Sequence, residues 1–249
     1  MSSRYSFIFI FILLIHLSCE DTKSDSTKIE KQKIEAQKEK ERKRDSLLNA
    51  VKIPKGGNNL SVNLDSIEAI QQEQLIPFLT QYGKENPETL IEISTSFGNI
   101  RVKLYENTPL HRANFIRLAK IGYFDTSFFH RVANDFVVQG GNSDLQETHK
   151  IRHKVGSYLI PNEFKASYTH KRGAFSAAKY SEQNVSKASS PFEFFIVQSK
   201  RGAHHLDNDH TVFGEVISGM NVVDKIAKVE VDQSEWPKKN IMLEVKVIR

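Results

Sequence analysis

From residue 89 to its end the sequence predicts a mainly β fold in which one sheet closes on itself. Two observations carry this. The region is a succession of short strand-like runs, and only two helical stretches fall among them. So many short strands would expose edges unless the sheet closed, because closure leaves no unpaired row of backbone N–H and C=O groups.

The elements follow in order. The segment L-I-E-I-S from Leu90 alternates in polarity, turns through Ser96-Phe97-Gly98-Asn99 and returns as I-R-V-K-L-Y, with Ile100, Val102 and Leu104 on one face, which reads as a hairpin. Thr108-Pro109 then supplies a cap and a proline suited to the first helical position. Ala113, Ile116, Leu118 and Ala119 form the inner face of that helix, and Gly122 stops it. Further strands are expected at 128–132, 136–139, 173–177, 194–198, 212–216 and in the closing I-M-L-E-V-K-V-I, with a short helix, M-N-V-V-D-K-I-A-K, before the last. Residues 142–164 form a polar insertion in which His149 and His153 are expected to be solvated.

Three segments precede this region. Residues 1–18 carry one positive charge and an apolar block from Phe7 to Ile15, too short to span a bilayer comfortably but suited to a secretory signal. The block ends just before Cys19, the only cysteine, so an intrachain disulfide is excluded. The pattern resembles a bacterial lipoprotein signal, which implies lipidation at Cys19 and a membrane-anchored protein of the cell envelope, facing the periplasm or exterior. His16 departs from the aliphatic residue usual three positions before that cysteine. A cleaved signal with an incidental cysteine, or an uncleaved anchor, are the alternatives. Residues 19–55 are a charged, helix-favouring tether with too few apolar residues for a coiled-coil seam; attraction to anionic surfaces is its sharper reading. Residues 56–88 are a helical extension with Asp65 as its candidate cap, Pro77 as a kink and Gly83 as a stop. Ile67, Ile70, Leu75, Ile76 and Leu79 imply that it packs against something.

Composition is that of a soluble chain with one sizeable domain: 249 residues, 39% hydrophobic and 26% charged. The net charge of +5 does not mark a nucleic-acid binder. Residues 20–55 hold 11 Lys and Arg against 8 Asp and Glu, and everything after residue 55 holds 23 against 22. The folded part is near neutral and carries no basic run to track phosphates, so no nucleic acid is expected.

One stretch calls for a partner. Residues 128–141, F-F-H-R-V-A-N-D-F-V-V-Q-G-G, set Arg131 among apolar residues, and a buried charge without compensation is costly. With F-G-N-I-R-V-K-L-Y-E-N-T-P, N-F-I-R-L-A-K-I-G-Y-F-D, S-S-P-F-E-F-F-I and H-L-D-N-D-H-T-V-F-G-E-V, it occurs in the order found in cyclophilin-type peptidyl-prolyl isomerases. The resemblance covers roughly 90–249. It implies a closed eight-stranded antiparallel barrel with two capping helices and an outer-face groove, acting without cofactor or metal on proline-containing, unfolded or flexible polypeptides, as a monomer.

Residue by residue, the resemblance makes Arg131 the group that reaches the prolyl carbonyl and favours the twisted amide, with Gln139 holding it and the substrate backbone. Phe136, Val137, Phe195 and Leu206 would hold the proline ring, and His210 would lie beside it. Val137 replaces a common methionine. Ala178 matches a groove alanine, whereas Lys179 stands where asparagine is usual and Glu193 where glutamine is frequent. His205 takes the place of a tryptophan found in cyclosporin-sensitive members. Two other readings stay open: a proline-binding or chaperone module with little turnover, and an envelope protein whose working part is residues 20–88. His204, His205 and His210 with Asp207 and Asp209 match no closed metal-ligand set by spacing, so no metal is assigned.

Overall fold

The computed structural model describes residues 30–40, 42–43, 62–180 and 185–249. Cys19 and the signal lie outside them. The chain divides into two compact units, Met1–Asn59 and Leu60–Arg249. In the first, residues 30–40 are an exposed helix, as the tether's helix-forming composition predicts.

The second unit is built on one antiparallel sheet. Its strands are β1 (Leu90–Thr95), β2 (Gly98–Leu104), β3 (Phe128–Ala133), β4 (Val137–Asn142), β5 (Ala174–Ala177), β6 (Phe194–Val197), β7 (Val212–Ser218) and β8 (Glu244–Val247). They lie in the order β3-β4-β6-β5-β7-β2-β1-β8. The eight strands form a curled half-barrel, which corrects the expectation of a closed barrel. End strands β3 and β8 do not pair. The irregular chain before β8 spans the gap instead: Phe129 N donates to Ile241 O at 2.9 Å, Leu243 N donates to Ser127 O at 3.3 Å, and Phe128 and Met242 form a single bridge. That segment includes Pro237, which has no N–H for a ladder and pairs only by an isolated bridge with Val231.

Four α-helices accompany the sheet among the described residues: α1 (Leu75–Glu85), in the extension expected to be helical, α2 (Pro109–Lys120) and α4 (Met220–Ile226), the two expected in the domain, and α3 (Gln146–Val155), which was not expected. Ten of the twelve residues of α2 are buried, including Arg112, Asn114 and Arg117. Helix α1 covers its outer side. The glycine expected to end α1 instead lies within it, where a Cβ on Gly83 would come 3.1 Å from the Ala113 Cβ, so its absence lets the two helices close. Arg112 donates to the carbonyls of Gly83, Asn86 and Glu88, and Arg117 to that of Glu68, so the buried cations end on backbone acceptors. Ile70, Leu75 and Leu79 are buried, whereas Ile76 is exposed. Pro77 falls in the first turn of α1, where its missing N–H costs nothing, so no kink is needed. Asn63 rather than Asp65 caps the short turn at Leu64–Ser66.

The cap of α2 also differs from expectation. Thr108 makes no side-chain cap bond. Instead Glu163, from the insertion, accepts from Leu110 N at 3.1 Å and His111 N at 3.0 Å, and its Oε2 lies 2.6 Å from His111 Nδ1. A carboxylate there satisfies orphan donors and complements the helix dipole. The main core lies inside the curl, around Phe115, Phe124, Phe129, Phe175 and Phe194. A second apolar cluster, with Val137, Ala178, Phe195 and Val212, lies on the other side of the sheet.

Candidate functional site

The outer face of β3, β4, β6 and β5 carries a row of side chains set by register. Arg131 pairs with Gln139 across β3–β4, Gln139 with Phe195 across β4–β6, and Phe195 with Ser176 across β6–β5. Directly paired residues share a face, so the guanidinium, the amide and the aromatic ring stand side by side. The two glycines after Gln139 let β4 pack closely against the core and the 192–194 segment beneath this face. Gly140 packs where a Cβ would be 2.9 Å from the Phe194 ring, and Gly141, at φ +97°, is so close to Phe192 that a Cβ would lie 2.1 Å from its carbonyl oxygen.

Beside the row lies a pocket of about 260 Å³. Phe136, Val137, Phe195 and Leu206 give it apolar walls, with Ala178, Lys179 and His210 on one side and Arg131 and Gln139 on the other. These are nine of the ten groove residues the sequence points to. The tenth, His205, is exposed at the rim, stacked on Phe136 with ring centroids 5.4 Å apart.

Arg131 is held from several directions. Its Nε donates to Glu235 Oε2 at 2.7 Å, its Nη1 to Gln139 Oε1 at 3.4 Å, and its Cζ sits 5.9 Å from the Phe136 ring centre. The Gln139 amide is oriented from behind: its Nε2 donates to Glu193 Oε2 at 3.0 Å. A carboxylate only accepts, so Glu193 draws the NH₂ toward itself and turns the amide oxygen to Arg131. Burial works to raise the Glu193 carboxyl, but His130 (3.5 Å), Arg152 (3.3 Å) and Gln139 outweigh it and hold it below the ordinary carboxylate range. Arg152 comes from α3 in the insertion, where it also binds Tyr123 Oη and the Gly141 carbonyl.

The opposite wall is charged but self-compensated. The Lys179 side chain is only 2% exposed, and its Nζ lies 2.7 Å from Asp209 Oδ1, close enough for charge pairing though not in hydrogen-bonding geometry. Burial tends to raise Asp209, and Lys179 with His210 brings it below the usual range. Burial, helped by Lys179, lowers His210 to about 4, so it is neutral at pH 7. Behind Phe195, buried His170 stacks on the ring at 5.8 Å, and is itself fixed by Asp207 at 2.7 Å and Ser176 at 3.0 Å.

Sequence reasoning did not find Glu235, His130, Arg152 or His170. Glu235 lies 104 positions from Arg131, and no local pattern links them. Arg152 sits in a segment that reads only as polar. Among the described residues no group of three His, Cys, Asp or Glu is placed to hold a metal ion.

The half-barrel thus carries, on its outer face, an apolar-walled pocket beside a clamped arginine. Residues 90–247 match the family model for cyclophilin type peptidyl-prolyl cis-trans isomerases. The chain belongs to that family, and is a peptidyl-prolyl cis-trans isomerase by that membership. A peptidyl-prolyl cis-trans isomerase of Acinetobacter baylyi is 34% identical over 143 residues, 57% of this chain and 73% of its own length. The isomerase ppi1 of Schizosaccharomyces pombe is 34% identical over 148 residues, 59% of this chain and 90% of its own. A peptidyl-prolyl cis-trans isomerase-like 2 protein of Rhizopus delemar is 35% identical, but the match spans only 29% of its length. In fold, the chain is similar to a Cryptosporidium parvum cyclophilin crystallised in the presence of the dipeptide Ala-Pro, with a TM-score of 0.54 and 21% identity, over 64% of this chain and 99% of that one.

Proposed function

We propose that Arg131 is the catalytic residue and that the pocket of Phe136, Val137, Phe195 and Leu206 grips the proline ring while it acts. The observation that carries this is the placement of Arg131 on the edge of that pocket, with Nη2 making no protein bond among the described residues. An X-Pro bond turns slowly because resonance gives its C–N bond double-bond character, with a barrier of about 18–20 kcal/mol. At the top of that barrier the amide is twisted, resonance is lost and the nitrogen lone pair localises. A guanidinium is permanently charged and presents donors in a fixed plane, so it stabilises the twisted form more than either planar one. Only such preferential binding accelerates the step. No nucleophile or proton relay is required, and His210 is neutral at pH 7 and serves as a packing wall.

Val137 presents a shorter side chain than methionine, which leaves the floor of the pocket wider. The clients are flexible or unfolded proline-containing polypeptides outside the cytoplasm, and the protein is held at the cell envelope by a lipid on Cys19. Support for the anchor is the N-terminal pattern, an apolar block ending at the single cysteine and followed by a charged tether. Several acyl chains on one cysteine bind a membrane far more firmly than one.

The catalytic reading is tested by the rate of cis–trans exchange in a short X-Pro peptide. Arg131→Ala loses most of the wild-type acceleration, and Arg131→Lys recovers little, since one ammonium cannot reproduce the planar fork. Equal activity of Arg131→Ala and wild type contradicts it. For the anchor, mass spectrometry of the mature protein is expected to find a lipidated Cys19 at the N-terminus; an unmodified Cys19 contradicts it.

A further inference from the structure

We infer that Glu235 is a positioning residue for Arg131: its carboxylate holds Nε so that the outer edge of the guanidinium faces the proline pocket. The inference rests on the catalytic reading of Arg131 and extends it to a loop far away in sequence.

The loop is built to place this one carboxylate. Between α4 and β8 the chain turns at residues 232–236, where Asp232 Oδ1 accepts from Ser234 N at 2.8 Å and Trp236 N at 2.9 Å. Backbone bonds from Glu235 N to Asp232 O and from Asp232 N to Trp236 O close the same turn. Glu235 itself adopts φ +62°, a conformation that non-glycine residues visit rarely. Its carbonyl accepts from Val132 N at 2.8 Å, which ties the loop to β3 at the residue after Arg131, and Trp236 lies against His130 with ring centroids 5.7 Å apart. Loop and strand are thus joined on both sides of the arginine.

The choice of atom matters. A carboxylate that took both terminal nitrogens would hide the edge that a prolyl carbonyl needs. Glu235 takes Nε and Gln139 takes Nη1 weakly, which leaves Nη2 without a protein partner among the described residues, on a side chain that lines the pocket. Arginine has several rotatable bonds, and fixing it before substrate arrives reduces what must be ordered during the reaction. Stability is a poor explanation for the pair. Both side chains are partly exposed, 36% for Arg131 and 43% for Glu235, and ion pairs in such settings contribute little to folding.

The test uses the full chain, with kcat and KM for exchange of an X-Pro peptide measured separately and folding checked by thermal melting. Glu235→Ala is expected to lower kcat/KM by roughly tenfold, mainly through kcat, with the melting temperature nearly unchanged. Glu235→Gln retains an oxygen that accepts from Nε–H and is expected to stay within about threefold of wild type, since the bond loses only its charge assistance. In an Arg131→Ala background, Glu235→Ala is expected to cost nothing further. The inference is overturned if Glu235→Ala matches or exceeds wild type, an excess meaning that the carboxylate competes with substrate. It is also overturned if Glu235→Gln is as impaired as Glu235→Ala, or if the losses add in the double variant. An inactive Arg131→Ala beside a fully active Glu235→Ala removes only the role of Glu235; a fully active Arg131→Ala removes the catalytic reading with it.

Discussion

Arg131 shows how far single residues can be read from sequence. Its setting in F-F-H-R-V and the Gln139-Gly-Gly that follows announce a charged group that needs partners, and the β3–β4 register delivers Gln139 as one of them. Glu235 and Arg152 stay hidden because their contacts depend on how distant loops return to the sheet, which no periodicity encodes. Phe195 has two roles at this scale. It is 4% exposed, stacked on His170 and forms the pocket wall, so Phe195→Ala should weaken proline binding and also destabilise the fold by about 3–5 kcal/mol in denaturant unfolding. A variant of unchanged stability would mean that the ring is not part of the packed cluster beneath the groove.

Strands are the elements best read in advance, because a half-buried sheet leaves a period of two and its turns carry glycine. Seven of the eight lie within a few residues of expectation; β8 is shorter than its apolar run, since residues 241–243 leave the ladder to bridge the sheet's ends. Helix α3 was not legible: within Q-E-T-H-K-I-R-H-K-V only Ile151, Val155 and Thr148 turn inward, too thin a stripe to stand out. The α2 cap was misplaced for a related reason, as Thr108 has the right chemistry but Glu163 arrives from the insertion to do the work. Glu163→Ala leaves two backbone N–H groups and the His111 ring without their acceptor, and should cost about 2 kcal/mol in denaturant unfolding. A loss near zero would return the cap to Thr108.

At the scale of the molecule, the isomerase domain begins before the part that resembles its family. Residues 62–88 bury Ile70, Leu75 and Leu79 and supply carbonyls to Arg112 and Arg117. At about 1.5–3 kcal/mol for each buried side chain, a chain starting at Thr89 loses a large share of the 5–15 kcal/mol typical of a domain. It should melt far below the full chain or aggregate; an unchanged melting temperature would show the extension to be dispensable. Acid should weaken the fold through two histidines, His170, which is buried, and His210, which is partly buried. Burial lowers both His210, to about 4, and His170, which Asp207 only partly offsets. Below about pH 6.5 the unfolded chain binds more protons at these sites, so stability falls as pH drops from there toward 4 and is unaffected above. Melting curves across that window should show the loss, and His210→Asn should reduce it, leaving the part due to His170. The central claim is that the groove binds proline while Arg131 turns it, and it is tested most directly by NMR exchange of an X-Pro peptide with the full chain, which separates binding from interconversion. Wild type should show exchange between free and bound peptide together with rapid cis–trans interconversion, and Arg131→Ala should keep the first and lose the second. Rapid interconversion on Arg131→Ala would contradict the account.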